Sequence, residues 1–338
     1  MRNEAVGDVL KVWLYAGLCT FLGAWISPIF YNAGKALAEI SAAKDTNPPL
    51  RWLAEKCQAA DFPDFFTFSV VVAGIVLFVP MIEWLRGGRA SEQGKAGTLR
   101  LPEGARHQTG GQRLRKNPAG WRQAVSGFVG VVLLFSLLAA VLVLAGVLEW
   151  ASTQAPGIGI VVRVLAASVL LAVMQEFLFR GIAMGIFLRA MRPAAALGMS
   201  AVLFALVHLL FLSIGVNVLD PEASGVGFEM LRKIAGQFSE LRVVLGIMTP
   251  LIALGGVLAY ARWKTASLWL PVGLHAGWIF INGIIASMTV ASSRPDSLMW
   301  VISGSALRQG LVPLIGILIA GGLAVRFTTP ADATESTV

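Results

Sequence analysis

The chain has few charged residues: only 14% of its 338 residues are Asp, Glu, Lys or Arg, whereas roughly 25% are charged in ordinary soluble domains. Hydrophobic residues make up 56% of the chain, and its mean hydropathy is +0.73. This composition excludes a water-soluble globular protein. The apolar residues occur in blocks of about 20, the length that an α-helix needs to cross roughly 30 Å of hydrocarbon. We therefore expect an all-α, polytopic membrane helix bundle.

Cysteine and acidic residues are also scarce. The only two cysteines, Cys19 in an apolar run and Cys57 in a polar connection, exclude a disulfide scaffold, and we expect free thiols. The 27 Lys and Arg exceed the 19 Asp and Glu, which gives a net charge of +8. In a soluble protein this excess would suggest nucleic acid, but in a polytopic protein it is typical of cytoplasmic loops. The expected partner is the lipid bilayer, and no nucleic acid.

The hydropathy pattern predicts eight membrane spans. The first is too long for the core of a signal peptide and is expected to remain as an anchor. Basic residues after the second, fourth and sixth spans agree with one topology, in which both termini are cytoplasmic. The spans are Val9 to Tyr31, Phe65 to Leu85, Ala124 to Leu148, Ile158 to Leu188, Ala194 to Ile214, Val243 to Tyr260, Leu268 to Met288 and Leu311 to Val325.

These spans divide the chain into four parts. Residues 1–85 hold two helices with an outside loop, 86–122 form a basic cytoplasmic loop predicted to be disordered, 123–328 form the membrane core, and 329–338 are a tail. A long outside connection, 217–242, is predicted to form either an interfacial amphipathic helix or a structured loop packed on the bundle. Its apolar residues at helical spacing are Phe228, Leu231, Ala235, Phe238 and Leu241.

Two further patterns are missing. There is no internal repeat of the kind that transporters show, and no H-E-x-x-H zinc signature.

Ionisable residues do occur inside three spans, where each is a functional-site hypothesis because a charge in the bilayer is costly. Glu176 and Arg180 are one helical turn apart in the fourth span, His208 lies in the fifth, and His275 lies in the seventh, with Asn282 further along.

Each of these residues also has a purely structural interpretation. The Glu176–Arg180 pair could serve only as an ion pair, and a buried His is often simply hydrogen-bonded to a neighbouring helix. Together with Gln175, however, the set can hold a water, polarise a carbonyl and accept a proton, which peptide hydrolysis requires. Two His and one carboxylate could instead bind a divalent metal such as zinc. We favour a site without a cofactor, because nothing in the spacing demands a metal.

The motifs resemble those of the CPBP intramembrane proteases, which include the eukaryotic CAAX prenyl endopeptidase and Abi-like bacterial relatives linked to bacteriocin processing and self-immunity. The family patterns are E-E-x-x-x-R, F-x-x-x-H and H-x-x-x-N on successive core helices. Within residues 158–288 they correspond to Gln175-Glu176 through Arg180, to Phe204 through His208, and to His275 through Ile279. The resemblance implies a metal-independent hydrolase in which a Glu activates water and the two His and the Asn position it and stabilise the oxyanion.

This chain departs from the family at two positions. Gln175 replaces the first Glu, and an amide cannot act as a general base; Ile279 replaces the Asn. Asn282 is a possible substitute, although it lies about 10 Å along the helix from His275 instead of about 6 Å. Three hypotheses follow: Glu176 has become the base, the chain binds membrane peptides or proteins without cleaving them, or the polar groups form a transport pathway.

The first hypothesis predicts a peptidase of the bacterial inner membrane that acts on a membrane protein or peptide, with Arg180 holding Glu176 in place. Counted from the cytoplasmic helix ends, Glu176, His208 and His275 would lie at depths of about 18, 22 and 10 Å. A kink at Pro271 is one way to bring them together.

Overall fold

The computed structural model describes residues 2–44, 47–93, 114, 117–151, 157–212, 216–241, 244–291 and 307–327. Seven of the described helices are long and apolar enough to cross a membrane. Strand is limited to two three-residue segments in these ranges. The predicted all-α membrane bundle is confirmed, and the chain is an integral membrane protein.

The described chain forms two compact units, and the first comprises Met1–Arg100 and Val207–Glu240. In this unit a long helix packs antiparallel to another, with Gly23 against the backbone of Val70. A third, short helix begins at an Asn47 cap followed by proline and ends where Lys35 binds the carbonyl of Ala60. The helices of this unit are α1 (Arg2–Ala43), α2 (Pro48–Ala59), α3 (Phe62–Gln93) and α8 (Val226–Gly236).

The second unit comprises Leu101–Leu206 and Leu241–Val338. Its helical elements include two short π-helical segments, Phe177–Ala183 and Val244–Met248, and the helix Pro193–Leu212 continues from this unit into the first. Two strands, β1 (Leu148–Trp150) and β2 (Thr289–Ala291), pair antiparallel. The helical elements are α4 (Gly120–Leu144), α5 (Ile158–Glu176), π1 (Phe177–Ala183), α6 (Met184–Ala190), α7 (Pro193–Leu212), π2 (Val244–Met248), α9 (Thr249–Thr265), α10 (Trp269–Met288) and α11 (Leu311–Phe327).

Glycines bring α4 and α10 into close contact. A Cβ at Gly273 would overlap the backbone carbonyl of Ala124, and a Cβ at Gly277 would lie 2.8 Å from the carbonyl oxygen of Phe128. Small residues allow membrane helices to approach until their backbones touch. Because His275 lies between these two glycines, this packing fixes its position along the helix pair.

Several boundaries differ from the prediction. α1 has 42 residues and extends well beyond Tyr31, and α3 continues to Gln93 into the basic segment. The third span stops at Leu144 because Leu148 begins β1, which the sequence did not predict. The eighth apolar helix, α11, has 17 residues. Most of the segment 86–122, which is predicted to be disordered, lies outside the described residues. The tail 329–338 also lies outside them.

The connection 217–242 contains an amphipathic helix, α8, and the residues that it buries within the protein differ from the apolar set expected from the helical spacing. α8 packs on α1, and its buried residues are Val226, Gly227, Met230 and Ile234. Phe228, Ala235, Phe238 and Leu241 of the predicted face are exposed, and Leu231 is half-buried. At Gly227 the backbone of α8 touches that of α1, since a Cβ there would overlap the carbonyl of Ala24.

Candidate functional site

The site is built around Glu176, the last residue of α5. Immediately after it the helix changes to the π form over Phe177–Ala183, an interruption that is frequent at functional sites in helices. The Glu176 side chain is completely buried. A buried carboxylate needs ionic and hydrogen-bonding partners to remain charged, and the second unit supplies two.

Arg180 is the first partner. Its Nη1 donates to Oε1 of Glu176 at 3.0 Å, and its Nη2 donates to the carbonyl oxygen of Gly255 on α9 at 3.1 Å. The guanidinium also lies over the ring of Phe204, 4.4 Å from the centroid, which is a cation–π distance. The predicted Glu176–Arg180 ion pair is therefore present, and α7 and α9 hold the arginine in place.

His275 is the second partner. Its Nδ1 lies 2.7 Å from the same Oε1 atom, and both side chains are fully buried. Because an ionised carboxylate can only accept, Nδ1 carries the proton and donates. The imidazole also contacts the ring of Phe204 in an edge-to-face arrangement, with ring centroids 5.5 Å apart. The ring is thus fixed in one orientation, with Nε2 on the side opposite the carboxylate.

The second carboxylate oxygen, Oε2 of Glu176, is buried and has no hydrogen-bond partner among the described residues. Both donors therefore converge on Oε1, and Oε2 keeps its full capacity to accept. Such an atom can hold a water molecule or take a proton from one.

The remaining predicted residues are placed as follows. Gln175 is half-buried and lies about 100° round the helix from Glu176. His208 is buried, one turn after Phe204 on α7, in the part of that helix assigned to the first unit. Ile279 is half-buried, whereas Asn282 is buried and donates to the carbonyl of Trp278 in its own helix at 2.9 Å. The structure therefore brings together Glu176, Arg180, His275 and Phe204.

Glu176 and His275 have unequal depths by the count along the helix axes, and their side chains are nonetheless hydrogen-bonded to each other. Counting along helix axes assumes parallel helices that begin at one level, and the sequence fixes neither condition. No kink at Pro271 is needed. Pro271 lies in the first turn of α10, where a missing N–H breaks no helical hydrogen bond.

Sequence reasoning missed the role of Gly255. A Cβ at this position would lie 2.9 Å from the backbone of Ala201, so the glycine lets α9 approach α7 and present its carbonyl to Arg180. A small residue in an apolar helix was the only signal, and many other positions share it. In the ranges that the structure describes, no three His, Cys, Asp or Glu side chains form a set that could hold a metal ion.

Residues 156–281, which contain all of these side chains except Asn282, match the family model described as type II CAAX prenyl endopeptidase Rce1-like. Searches of curated proteins and of solved structures found no significant match to the chain. The resemblance to the CPBP proteases is thus confirmed by this segment, whose sequence is similar at the family level to membrane endopeptidases.

Proposed function

We propose that the chain is a membrane-embedded endopeptidase in which Glu176 activates water without the usual first Glu. The observation that carries this proposal is the geometry of its carboxylate. Arg180 and His275 both bind Oε1, whereas Oε2 is buried and retains its accepting capacity. The family match supports the reaction class.

The proposed reaction uses Oε2 as a general base. Oε2 takes a proton from a water whose oxygen attacks the carbonyl carbon of the scissile peptide bond. The carbon–nitrogen bond then breaks, and the proton passes from Glu176 to the leaving amine. Arg180 pairs with the carboxylate and holds it in place, and His275, oriented through Nδ1, has Nε2 to position the water or the oxyanion. The substrate class is a membrane protein or peptide, with no prenyl group required by these residues.

The resemblance also implies a role for His208 in catalysis and an inner-membrane location with cytoplasmic termini, and both are part of the proposal. The reaction is further proposed to need no metal. Cleavage is then expected to survive dialysis against a strong chelator, with activity unchanged within about twofold. Loss of activity that returns on adding zinc would show that a metal takes part.

A second candidate is a binding protein that no longer cleaves. Two observations favour it: Gln175 stands where the family has its first Glu, and Glu176 is completely enclosed. The two functions differ in whether peptide bonds are broken, so one experiment separates them.

The experiment compares new protein N-termini in host membranes that express the wild type, Glu176→Gln, His208→Ala or Gln175→Glu at equal levels. The exposed Glu39 on α1 provides a matched control, Glu39→Gln. We expect wild type and Glu39→Gln to generate the same new N-termini. Glu176→Gln is expected to reduce them by about 100-fold or more, the usual loss when a general base is removed, and His208→Ala is expected to reduce them as well.

Two results would overturn the proposal. New N-termini from Gln175→Glu alone would identify a protease fold whose chemistry has lapsed, and the binding function would replace it. Equal N-termini from wild type and Glu176→Gln would show that Glu176 is not the base.

A further inference from the structure

The middle of the membrane can be located on α1 from its charges. Between Lys11 and Lys35 the helix has no charged residue, and at about 1.5 Å per residue this stretch is about 36 Å long. The middle therefore falls near Gly23 and Ala24. α3 gives a similar level, because the middle of its uncharged stretch between Asp64 and Glu83 falls near Ala73, about 5 Å along the helix from Val70, which packs on Gly23.

The ends of the two helices agree with this frame. Lys11 reaches the carbonyl of Trp84 at 3.4 Å, and Lys35 reaches that of Ala60 at 2.7 Å. Each lysine therefore lies at the level of one end of the uncharged stretch of α3. Lysines at the two ends of a span are typical of the membrane–water boundary.

Helix α8 contacts α1 at this middle level. Gly227 packs directly on the carbonyl of Ala24, and the rings of Phe228 and Phe21 lie 5.2 Å apart. Shortly before α8, the carbonyl of Glu222 accepts a hydrogen bond from Asn32 at 3.2 Å. The chain from Glu222 to Phe228 therefore runs along α1 towards the middle of the membrane. It passes from the level of Asn32 to that of Phe21, which are about 16 Å apart on α1 at 1.5 Å per residue.

The sides of α8 differ in chemistry. One side is buried and carries Val226, Gly227, Met230 and Ile234, of which Gly227 meets α1 at Ala24. At 100° per residue, the next sector carries Phe228 and Ala235, which are apolar and exposed. The remaining sector carries Glu229, Arg232 and Lys233, of which Arg232 is exposed and the other two are paired at 2.8 Å.

Lipid cannot solvate this charged sector. Ionisable residues at membrane depth face a protein interior or a water-filled cavity. We propose that α8 lies within the membrane span and that its charged sector lines a recess filled with water from the Lys35 end of α1. This inference concerns the first unit alone and does not depend on the peptidase proposal.

Cysteine accessibility in membranes tests the proposal. The background is the full chain with Cys19→Ala and Cys57→Ala, and the test variant is Arg232→Cys. A control at the same level is Trp25→Cys, whose native side chain is 58% exposed on α1, and Glu39→Cys is the control outside the span. With a charged thiosulfonate that cannot cross membranes, we expect Arg232→Cys to react from the Lys35 side at least tenfold faster than Trp25→Cys.

A second measurement determines depth. The ratio of a nitroxide's collision rates with oxygen and with a nickel complex reports its depth in the bilayer. A nitroxide attached at Phe228→Cys is expected to give the same ratio as a nitroxide at Trp25→Cys, and a different ratio from a nitroxide at Glu39→Cys. A nitroxide depth matching Glu39→Cys would place α8 outside the bilayer and overturn the proposal. Reactivity of Arg232→Cys as slow as that of Trp25→Cys would exclude the water and overturn it as well. Variants are compared only where their thermal unfolding matches that of the background protein.

Discussion

At the scale of residues, the site depends on one carboxylate oxygen that accepts two hydrogen bonds. The Glu176–Arg180 pair could be predicted because residues four apart lie on one face of a helix. That His275 would bind the same oxygen could not be predicted, since the two residues are 99 positions apart. The carbonyl of Gly255 is a still less visible partner, because a backbone acceptor leaves no mark in the sequence.

Replacing the arginine tests the buried ion pair. Arg180→Met is expected to lower the free energy of unfolding in detergent by about 3–5 kcal/mol, because it leaves the Glu176 charge buried without its main partner. Adding Glu176→Gln is expected to restore much of this loss, since the uncompensated charge is then gone. Denaturation in mixed micelles measures both variants. Equal losses in the single and double variants would contradict an electrostatic origin.

Asn282 provides a test of the oxyanion donor. Its amide donates to the carbonyl of Trp278 in the same helix, so we expect Asn282→Leu to change the rate of peptide cleavage by less than about threefold. A loss of about 100-fold, the effect of removing an oxyanion-hole donor, would instead show that Asn282 replaces the missing motif Asn. Initial rates on a substrate found through the new N-termini decide between these results.

At the scale of elements, glycines on α10 determine where the histidine lies. Apolar periodicity predicted this helix well, with Leu268 to Met288 expected and Trp269–Met288 found. The partner helix and the depth of contact could not be read from periodicity, because every side of a membrane helix is apolar. α8 shows the same limit, since the residues that it buries within the protein, Val226, Gly227, Met230 and Ile234, are not those that the apolar spacing singled out.

Adding a methyl group at this crossing is expected to move the helix. Gly273→Ala should lower the free energy of unfolding by about 1–3 kcal/mol or more, the usual cost of overpacking, because the Cβ overlaps the backbone of Ala124. It should also slow cleavage by displacing His275. Gly256→Ala on α9 is the control, since its Cβ would meet nothing within 4 Å. Equal stability of the two variants in thermal unfolding would contradict close helix contact.

At the scale of the whole molecule, the number of crossings decides the sidedness of the chain. Seven described helices are long enough to span, and the apolar part of α11, Leu311–Ala324, is shorter. At 1.5 Å per residue it covers about 21 Å, less than the roughly 30 Å of a typical hydrocarbon core. Thinning of the bilayer and extension of Arg326 towards the headgroups can accommodate this difference.

We therefore expect α11 to cross, which places both termini on the side of the basic segment. Fusions of alkaline phosphatase and of green fluorescent protein at residues 1, 95 and 338 test this. Alkaline phosphatase is active only outside the cytoplasm, and green fluorescent protein is fluorescent only in the cytoplasm. Fluorescence without phosphatase activity is expected at all three positions. Phosphatase activity at residue 338 alone would mean that α11 does not cross.

The sequence by itself determined the membrane class, the positions of the apolar helices and the family resemblance. Hydrocarbon thickness imposes a length on each span, and that length is visible in composition alone. The tertiary structure decided that Glu176 and His275 meet, that both donors share Oε1, and that α8 contacts the middle of α1. These features depend on which small residues let two backbones touch, and local sequence carries no record of the partner.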